Sequence, residues 1–386
     1  MEHDSLIFSF FLIFTGAAML STVALFLKQP LLIAYILLGV ILGPHGLGYV
    51  AEANLLTDIA EFGIIFLLFL LGLDMQPSKM FVTLKKTFLV TLASSLAFFL
   101  LGFGTGFLFD FTLTEAMVMG FAMVVSSTII GIKLLPTTVL HQKHMGELMV
   151  GILLLQDFIA IFILAFLDSG SLTETSALRP LLAFPLLLAM AYGATRFLLV
   201  PLVARFDHFK EYIFLLAIGW CLGLAALASE LGLSAEIGAF VAGISLATNP
   251  ISLFISHSLK PLRDFFLILF FFSLGAQFDI SMLSNILAPA LLLAVLALSF
   301  KPVVFYLLLL RFSERSQLAW DAGLRLGQIS EFSLLIAFVA AQSGVIGEAA
   351  SLTIQGAAIL TFLVSSYIVV MYCPTPIATN SKLRRD

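Results

Sequence analysis

The chain has 386 residues, of which 61% are hydrophobic and only 11% charged, and its formal net charge is −4. Soluble domains contain about half apolar and about a quarter charged residues, so the composition and the mean hydropathy of +1.13 exclude a soluble globular protein. The sequence shows no Gly-rich phosphate loop, no basic patch for nucleic acid and no nucleophile–base motif. These observations indicate a polytopic membrane protein that is not an enzyme.

The apolar sequence divides into thirteen segments when it is cut at charged residues, Gly and Pro. A helix needs about 20 mostly apolar residues to cross a bilayer, and the ninth and tenth segments are short. The first segment follows "MEHDSL", which lacks the basic start of a cleaved signal peptide, so we expect it to be retained. The segments are 5–27, 30–48, 58–74, 87–109, 115–135, 147–167, 180–204, 212–231, 234–248, 264–278, 286–310, 317–341 and 349–372.

The basic residues predict the orientation of the thirteen spans, because Lys and Arg concentrate on the cytoplasmic side. Alternate connections and the tail hold 15 of the 19 Lys and Arg residues, whereas the opposite connections hold only Arg179. We therefore predict an N-terminus outside and a C-terminus in the cytoplasm. The 15 residues are Lys28, Lys79, Lys85, Lys86, Lys133, Lys143, Arg205, Lys210, Lys260, Arg263, Arg311, Arg315, Lys382, Arg384 and Arg385.

An internal repeat relates the two halves of the chain. The stretches "FLLFLLGLDMQPSKM" (66–80) and "LFFFSLGAQFDISML" (269–283) align at an offset of 203 residues, which pairs Gly72 with Gly275; an offset of 204 pairs Gly39 with Gly243. The offset spans seven segments, an odd number, so the halves cross the membrane in opposite senses. Inverted repeats are typical of transporters. We predict repeat one at about 5–167, a connector helix at about 180–204, repeat two at about 212–372 and a cytoplasmic tail at 373–386.

Two corresponding spans contain polar runs that predict interrupted helices. The fifth reads "MVVSSTIIG" (123–131), with Ser126, Ser127 and Thr128 in succession. The twelfth reads "RLGQISEFS" (325–333), with Gly327, Gln328, Ser330 and Glu331. Unwound backbone at membrane depth is tolerated when it faces protein or water, and its carbonyls can bind a cation. The alternative is that Ser and Thr hydrogen-bond within continuous helices.

Charged residues inside the spans are candidates for function, because a charge at mid-membrane costs roughly 2.5–3.5 kcal/mol on insertion scales. Asp157, in the sixth span beside Gln156, is the leading candidate for a cation- and proton-binding carboxylate, the alternative being a protonated structural carboxyl. An ion pair with an acidic group of the site would keep Lys301 in the eleventh span charged, the alternative being a purely structural pairing. Glu331 balances a helix terminus or titrates.

Asp321 and Arg325 are spaced i, i+4 in the twelfth span, so we expect them to neutralise each other. We interpret this pair as structural.

Several motifs resemble the monovalent cation:proton antiporter-2 family. They are "YILLGVILGPHGL" (35–47), "EFGIIFLLFLLGLDM" (61–75), "SSTIIG" (126–131), "LLLQDFIAI" (153–161), "GLSAEIGAFVAGISLA" (232–247) and "FFFSLGAQFD" (270–279), with Lys301. The adjacent Gln156 and Asp157 resemble the transmembrane part of Kef-type potassium efflux systems. The resemblance implies an all-α, sodium/proton antiporter-like fold of two inverted six-helix repeats. A mobile core of spans four to six and eleven to thirteen would slide against a dimerisation domain.

The resemblance also implies site roles and partners. Asp157 would bind cation and proton in turn, and Gln156, Ser126, Ser127 and Thr128 would complete the cation shell, with potassium at Asp157, Gln156 and Thr128. It implies a homodimer in a bacterial inner membrane, no cofactor, and a cytoplasmic nucleotide-binding regulatory domain that has been removed or is lacking in a short relative.

The single carboxylate favours electroneutral exchange, because one negative charge exchanges one proton for one monovalent cation. Many relatives in the family carry two acids here, and the neutral amide gives a weaker field that favours potassium over sodium. The prediction is a potassium:proton antiporter. The alternatives are a sodium:proton antiporter, a ligand-gated channel-like potassium efflux pathway and a sodium-coupled solute symporter.

Overall fold

The structure, a computed structural model, describes residues 6–27, 29–50, 53–74, 77–127, 131, 144–168, 178–206, 208–247, 249, 251–312 and 314–373. Within these ranges the regular structure is helical, as the sequence predicts. Six of the helices are long and apolar enough to cross a membrane, and six more are apolar but shorter.

The helices of the first half are α1 (Leu6–Phe26), α2 (Leu31–Leu42), α3 (Ala53–Asp74), α4 (Pro77–Leu108), α5 (Leu113–Val124) and α6 (His144–Asp168). A connector follows, in which α7 (Leu178–Ala194) continues through a π-helical turn (Thr195–Leu199) into α8 (Val200–Arg205). The second half contains α9 (Lys210–Glu230), α10 (Ala235–Ala247), α11 (Ile251–Ala276), α12 (Leu283–Arg311), α13 (Ser316–Arg325), α14 (Glu331–Gln342) and α15 (Glu348–Tyr372).

The segments predicted from the sequence correspond to these helices in order, but three boundaries differ. The tenth segment is the second part of α11, which begins at Ile251 and includes the connection that we placed before it. In the same way, α4 begins ten residues before the predicted segment. The second segment is helical only as far as Leu42, because Gly43 and the turn after it leave the helix. The segments were cut by composition, which predicts the apolar part of a helix but not the polar turns that extend it.

Two groups of helices can be distinguished by their packing. The core helices α4, α5, α6, α12, α13, α14 and α15 contact one another extensively, as do the scaffold helices α1, α2, α3, α7, α9, α10 and α11. The core helices are the same six spans that the resemblance assigns to the mobile part. Both interrupted spans lie inside this group.

The repeat glycines lie at close crossings of helices. Where α2 crosses α11, a Cβ atom at Gly39 would lie 2.0 Å from the carbonyl oxygen of Phe272, and one at Gly275 would lie 2.0 Å from that of Ile36. Only the lack of a side chain lets these two backbones approach so closely.

A second crossing joins α3 to α10 in the same way. A Cβ atom at Gly243 would lie 2.1 Å from the carbonyl oxygen of Phe69, and one at Gly72 would lie 2.5 Å from a carbonyl oxygen of α10. The repeat alignment pairs Gly72 with Gly275 and Gly39 with Gly243. Each glycine of one crossing is thus equivalent to a glycine of the other crossing. The packing therefore follows the inverted repeat that the sequence predicts.

We expect Gly275→Ala to lower the melting temperature of the detergent-solubilised protein, because the methyl group collides with backbone that cannot move without separating α2 from α11. The matched control is Gly219→Ala on α9, where a Cβ atom would meet nothing within 4 Å. The control should melt at or slightly above the wild-type temperature, since Ala favours helix over Gly by about 1 kcal/mol. Equal melting temperatures for the two variants would contradict the crossing.

Candidate ion-binding site

The fifth span is interrupted where its polar run begins. Helix α5 ends at Val124, and Val125 is extended, with φ −82° and ψ 141°. Ser126 and Ser127 follow without helical structure. The predicted interruption is thus confirmed on its N-terminal side. Thr128 lies outside the described residues, so its place in the cation shell stays a prediction.

The twelfth span is interrupted over residues 326–330, between α13 and α14. Ser330 caps α14, and its side-chain oxygen accepts a hydrogen bond from the backbone N–H of Phe332 at 3.1 Å. Glu331 is the first residue of α14, where a carboxylate interacts favourably with the helix N-terminus. The alternative of a continuous helix is therefore wrong for this span.

Gln156 on α6 binds the interrupted fifth span through both ends of its amide. Its Oε1 accepts a hydrogen bond from the backbone N–H of Ser126 at 3.1 Å, and its Nε2 donates to the carbonyl oxygen of Val124 at 3.0 Å. A carboxylate at this position could accept the first bond but could not donate the second. The amide thus satisfies two backbone groups that the end of α5 leaves free.

Asp157 is almost fully buried, with 1% of its surface exposed. Its Oδ1 has no hydrogen-bond partner among the described residues, and the same is true of the buried Oγ of Ser126. Glu331 lies close enough for its carboxylate to repel a charge on Asp157. Because a buried carboxylate needs a hydrogen bond, a proton or a cation, the unpartnered oxygen of Asp157 makes this residue the candidate for binding a proton or a cation.

Lys301 is fully buried in α12 and reaches between the two interruptions. Its Nζ donates hydrogen bonds to the carbonyl oxygens of Met123 at 3.1 Å, Val125 at 3.0 Å and Gln328 at 3.0 Å. The ammonium group also lies 4.9 Å from the centre of the Phe98 ring. Three donors and three carbonyls satisfy an ammonium group completely.

Of the two pairings that the sequence left open for Lys301, an acidic partner and a purely structural one, the contacts favour the structural one. Among the described residues, the ion pairs do not include Lys301, and backbone carbonyls take the place of a carboxylate. Pro302 removes a hydrogen bond within the helix, yet α12 runs unbroken through it. The carbonyl of Pro302 lies against Gly323 on α13, so the proline serves close packing.

Four further polar side chains bind the interruptions, and none of them is among the site residues predicted from the sequence, although Gln328 lies in the predicted polar run. Gln328 contacts Ser127 and Ser365, Ser333 donates to the carbonyl of Ala122 at 2.6 Å, and Thr361 accepts from the backbone N–H of Ile329 at 3.2 Å. Single Ser and Thr residues are common in apolar helices, so only the three-dimensional pairing of the repeats reveals these contacts.

The pair of Asp321 and Arg325 forms as the spacing predicts. Arg325 Nε donates to Asp321 Oδ1 at 3.1 Å, and the arginine side chain is fully buried while the aspartate side chain is 20% exposed. The pair lies at the end of α13, before the interruption, and its aspartate neutralises the buried guanidinium.

Comparisons with known proteins agree with this architecture. The family model described as sodium/hydrogen exchanger, transmembrane, matches residues 10–373. The chain therefore belongs to the sodium/hydrogen exchanger family of transmembrane proteins. Its fold is that of the sodium proton antiporter MjNhaP1 from Methanocaldococcus jannaschii, with a TM-score of 0.63, 18% identity and 95% of each chain covered. The predicted fold class is confirmed, and family and fold together indicate a membrane transporter.

Several curated relatives are similar over most of this chain. The protein named iron transporter MagA, from Paramagnetospirillum magneticum, is 32% identical over 81% of this chain and 73% of its own length. K(+) efflux antiporter 5 from Arabidopsis thaliana is 28% identical over 93% of this chain and 65% of its own, and K(+) efflux antiporter 4 from the same plant is 30% identical over 80% and 54%. The chain thus spans little more than half to two thirds of the plant antiporters.

We expect Lys301→Met to lower the melting temperature strongly, because three buried carbonyls lose their donor. A hydrogen bond to a charged group is worth about 1.5–3 kcal/mol. The matched control is Lys210→Met at the exposed start of α9, which should melt like the wild type. If Lys301→Met keeps the wild-type melting temperature in a thermal unfolding assay, the ammonium group does not hold the two interruptions together.

Proposed function

We propose that the protein is a potassium:proton antiporter in which Asp157 binds a potassium ion and a proton in turn. The observation that carries the proposal is the buried, unpartnered Oδ1 of Asp157 on α6, whose neighbour Gln156 binds the unwound stretch that holds the likewise unpartnered Oγ of Ser126. Transporters of the inverted-repeat type bind their ions at such unwound segments.

A single buried carboxylate accounts for the coupling of the two ions. Either a proton or a monovalent cation neutralises Asp157, and neither can bind while the other is present. The charge of Glu331 adds to the cost of leaving Asp157 ionised and empty. The site therefore changes access from one side of the membrane to the other only when a proton or a cation neutralises Asp157. Exchange requires this condition.

We assign the cation ligands to Asp157 and Ser126, with Thr128 as the predicted continuation of the shell. Gln156 contributes by holding Ser126 in place through the backbone, and direct coordination by its Oε1 stays a prediction. We assign Ser127 to the same segment.

Potassium is the cation that we propose, because the site combines one carboxylate with neutral oxygens, a weak field suited to a weakly hydrated ion. The similarity to three proteins named K(+) efflux antiporters supports this choice. Sodium and iron, named for MjNhaP1 and MagA, are the competing substrates. Within the described part of the chain no three His, Cys, Asp or Glu side chains come together, which favours a monovalent cation over iron.

Alternating access requires the core helices to move against the scaffold helices, and aromatic contacts line the boundary between the two groups. Phe158, next to Asp157, contacts Phe240 of α10 with ring centres 5.8 Å apart, and Phe338 of α14 contacts Phe270 of α11 at 5.9 Å. Such nonpolar contacts can be exchanged without breaking hydrogen bonds.

Four further features stay predictions. The resemblance predicts a homodimer, a bacterial inner membrane and a regulatory domain beyond this chain, and the distribution of Lys and Arg predicts an N-terminus outside.

We expect an outward potassium gradient to drive proton uptake into proteoliposomes, measured with a trapped pH dye, and Asp157→Asn to abolish it. The amide keeps the size of the side chain but cannot carry a proton and a cation in turn. The matched control is Asp264→Asn, an exposed carboxylate paired with Arg263, which should exchange at the wild-type rate.

Two results would contradict parts of this proposal. If sodium alone moves protons, the coupling survives and the potassium assignment fails. If Asp157→Asn exchanges normally, Asp157 is structural and Glu331 becomes the candidate carrier. A channel is distinguished by opposed gradients, since a channel cannot move potassium against its own gradient.

We expect the exchange to be electroneutral, because one carboxylate trades one proton for one monovalent cation. On a solid-supported membrane, a jump in potassium concentration should give no more current with wild-type protein than with Asp157→Asn. A sustained additional current in the wild type would show that more than one proton moves per cation.

A further inference from the structure

Gln328 joins four parts of the core. From the interrupted twelfth span, its Nε2 donates to the carbonyl oxygens of Arg325 at 2.8 Å and Ser127 at 3.3 Å. Its Oε1 accepts from Ser365 on α15 at 3.1 Å, and its backbone carbonyl accepts from Lys301 at 3.0 Å. The side chain is fully buried, so these bonds are not exchanged for water.

The extended segment after α5 is consequently held between two amides. Gln156 binds the last residue of α5 through the carbonyl of Val124 and the segment itself through the N–H of Ser126. Gln328 binds its second part, through the carbonyl of Ser127. The first amide comes from α6, next to Asp157, and the second comes from the other repeat.

These bonds decide which oxygens are available to an ion. The carbonyl of Ser127 accepts from Gln328 and also from the backbone N–H of Gly131 at 3.1 Å, so both its lone pairs are used. Within the described part of the chain, the Oγ of Ser126 and the Oδ1 of Asp157 are buried oxygens without a hydrogen-bond partner. The separation of these two oxygens depends on how far the segment can shift relative to α6.

We propose that Gln328 is a positioning residue that sets the cation selectivity of the site. By fixing the Ser127 carbonyl to the opposite repeat, it prevents the segment from closing around a smaller ion or opening around a larger one. This inference rests on the proposed exchange function and adds the residue that determines ion size. Gln328 does not touch the ion.

The test compares Gln328→Met with the matched control Gln355→Met. Gln355 is also a buried glutamine of the core, but its Nε2 bonds to Ser351 at 3.1 Å, away from the interruptions. For each variant we would measure the apparent KM for potassium, sodium and rubidium and the maximal rate in proteoliposomes. Loss of a buried hydrogen bond changes an equilibrium by on the order of tenfold. We expect Gln328→Met to change the potassium-to-sodium KM ratio by about that factor, and Gln355→Met to leave it unchanged.

An unaltered KM ratio in Gln328→Met would overturn the inference, even if the maximal rate falls, because a merely structural role lowers the amount of active protein and not the choice of ion. Should Gln328→Met fail to fold, Ser365→Ala replaces it. That variant frees only Oε1, so a smaller shift of the ratio in the same direction supports the inference and an unchanged ratio overturns it.

A binding measurement separates this inference from the proposed function. In detergent, the rise of the melting temperature with added potassium or sodium chloride reports binding without transport. If wild-type protein moves no protons yet is stabilised selectively by one cation, and Gln328→Met loses that selectivity, the exchange function fails and the role of Gln328 stands. Equal stabilisation of both proteins by both cations overturns the role of Gln328.

Discussion

Two spans that leave the helix inside a membrane expose peptide groups that no water can solvate, and protein atoms must bind every one of them. The fifth and twelfth spans do so side by side, and the rest of the core is arranged around them. Lys301 supplies three donors, Gln156 and Gln328 supply amides that both donate and accept, and Ser333 and Thr361 supply hydroxyls. An orphaned buried peptide group costs about 1–3 kcal/mol, so each of these side chains has a structural reason to be polar.

The same arrangement leaves a small number of oxygens free. After the peptide groups are bound, the buried Oδ1 of Asp157 and Oγ of Ser126 have no hydrogen-bond partner among the described residues. The proposed site thus separates structural need from ion binding: amides and an ammonium group hold the backbone, while a carboxylate and a hydroxyl are available to the proposed ion. The neutral residue before Asp157 belongs to the first set, because only an amide can bind both Val124 and Ser126.

The sequence was sufficient to predict the membrane class, the order of the spans, the inverted repeat and the two interruptions. These depend on local composition and on spacing, which a sequence shows directly. The sequence was not sufficient to predict the partners of Lys301, which are backbone carbonyls. Every residue carries a carbonyl, so a sequence does not show which ones a buried lysine binds, whereas a charged side chain is visible in it. Helix α11 begins earlier than predicted because its first turns contain polar residues, which ended the predicted apolar segment.

The position of Lys301 makes the two repeats necessarily different at one point. Val125 and Gln328, whose carbonyls both bind Nζ, are separated by the repeat offset of 203 residues, and so are Phe98 and Lys301 themselves. The ammonium group therefore lies close to the pseudo-twofold axis that relates the two repeats. At this axis a single ammonium group binds carbonyls of both repeats. A second lysine at position 98 would bring two positive charges to a single set of acceptors, and an aromatic ring at both positions would leave those acceptors bare. The two repeats therefore share a backbone arrangement but need different side chains at this pair of positions: one repeat contributes the ammonium group of Lys301, and the other contributes the ring of Phe98 that faces it.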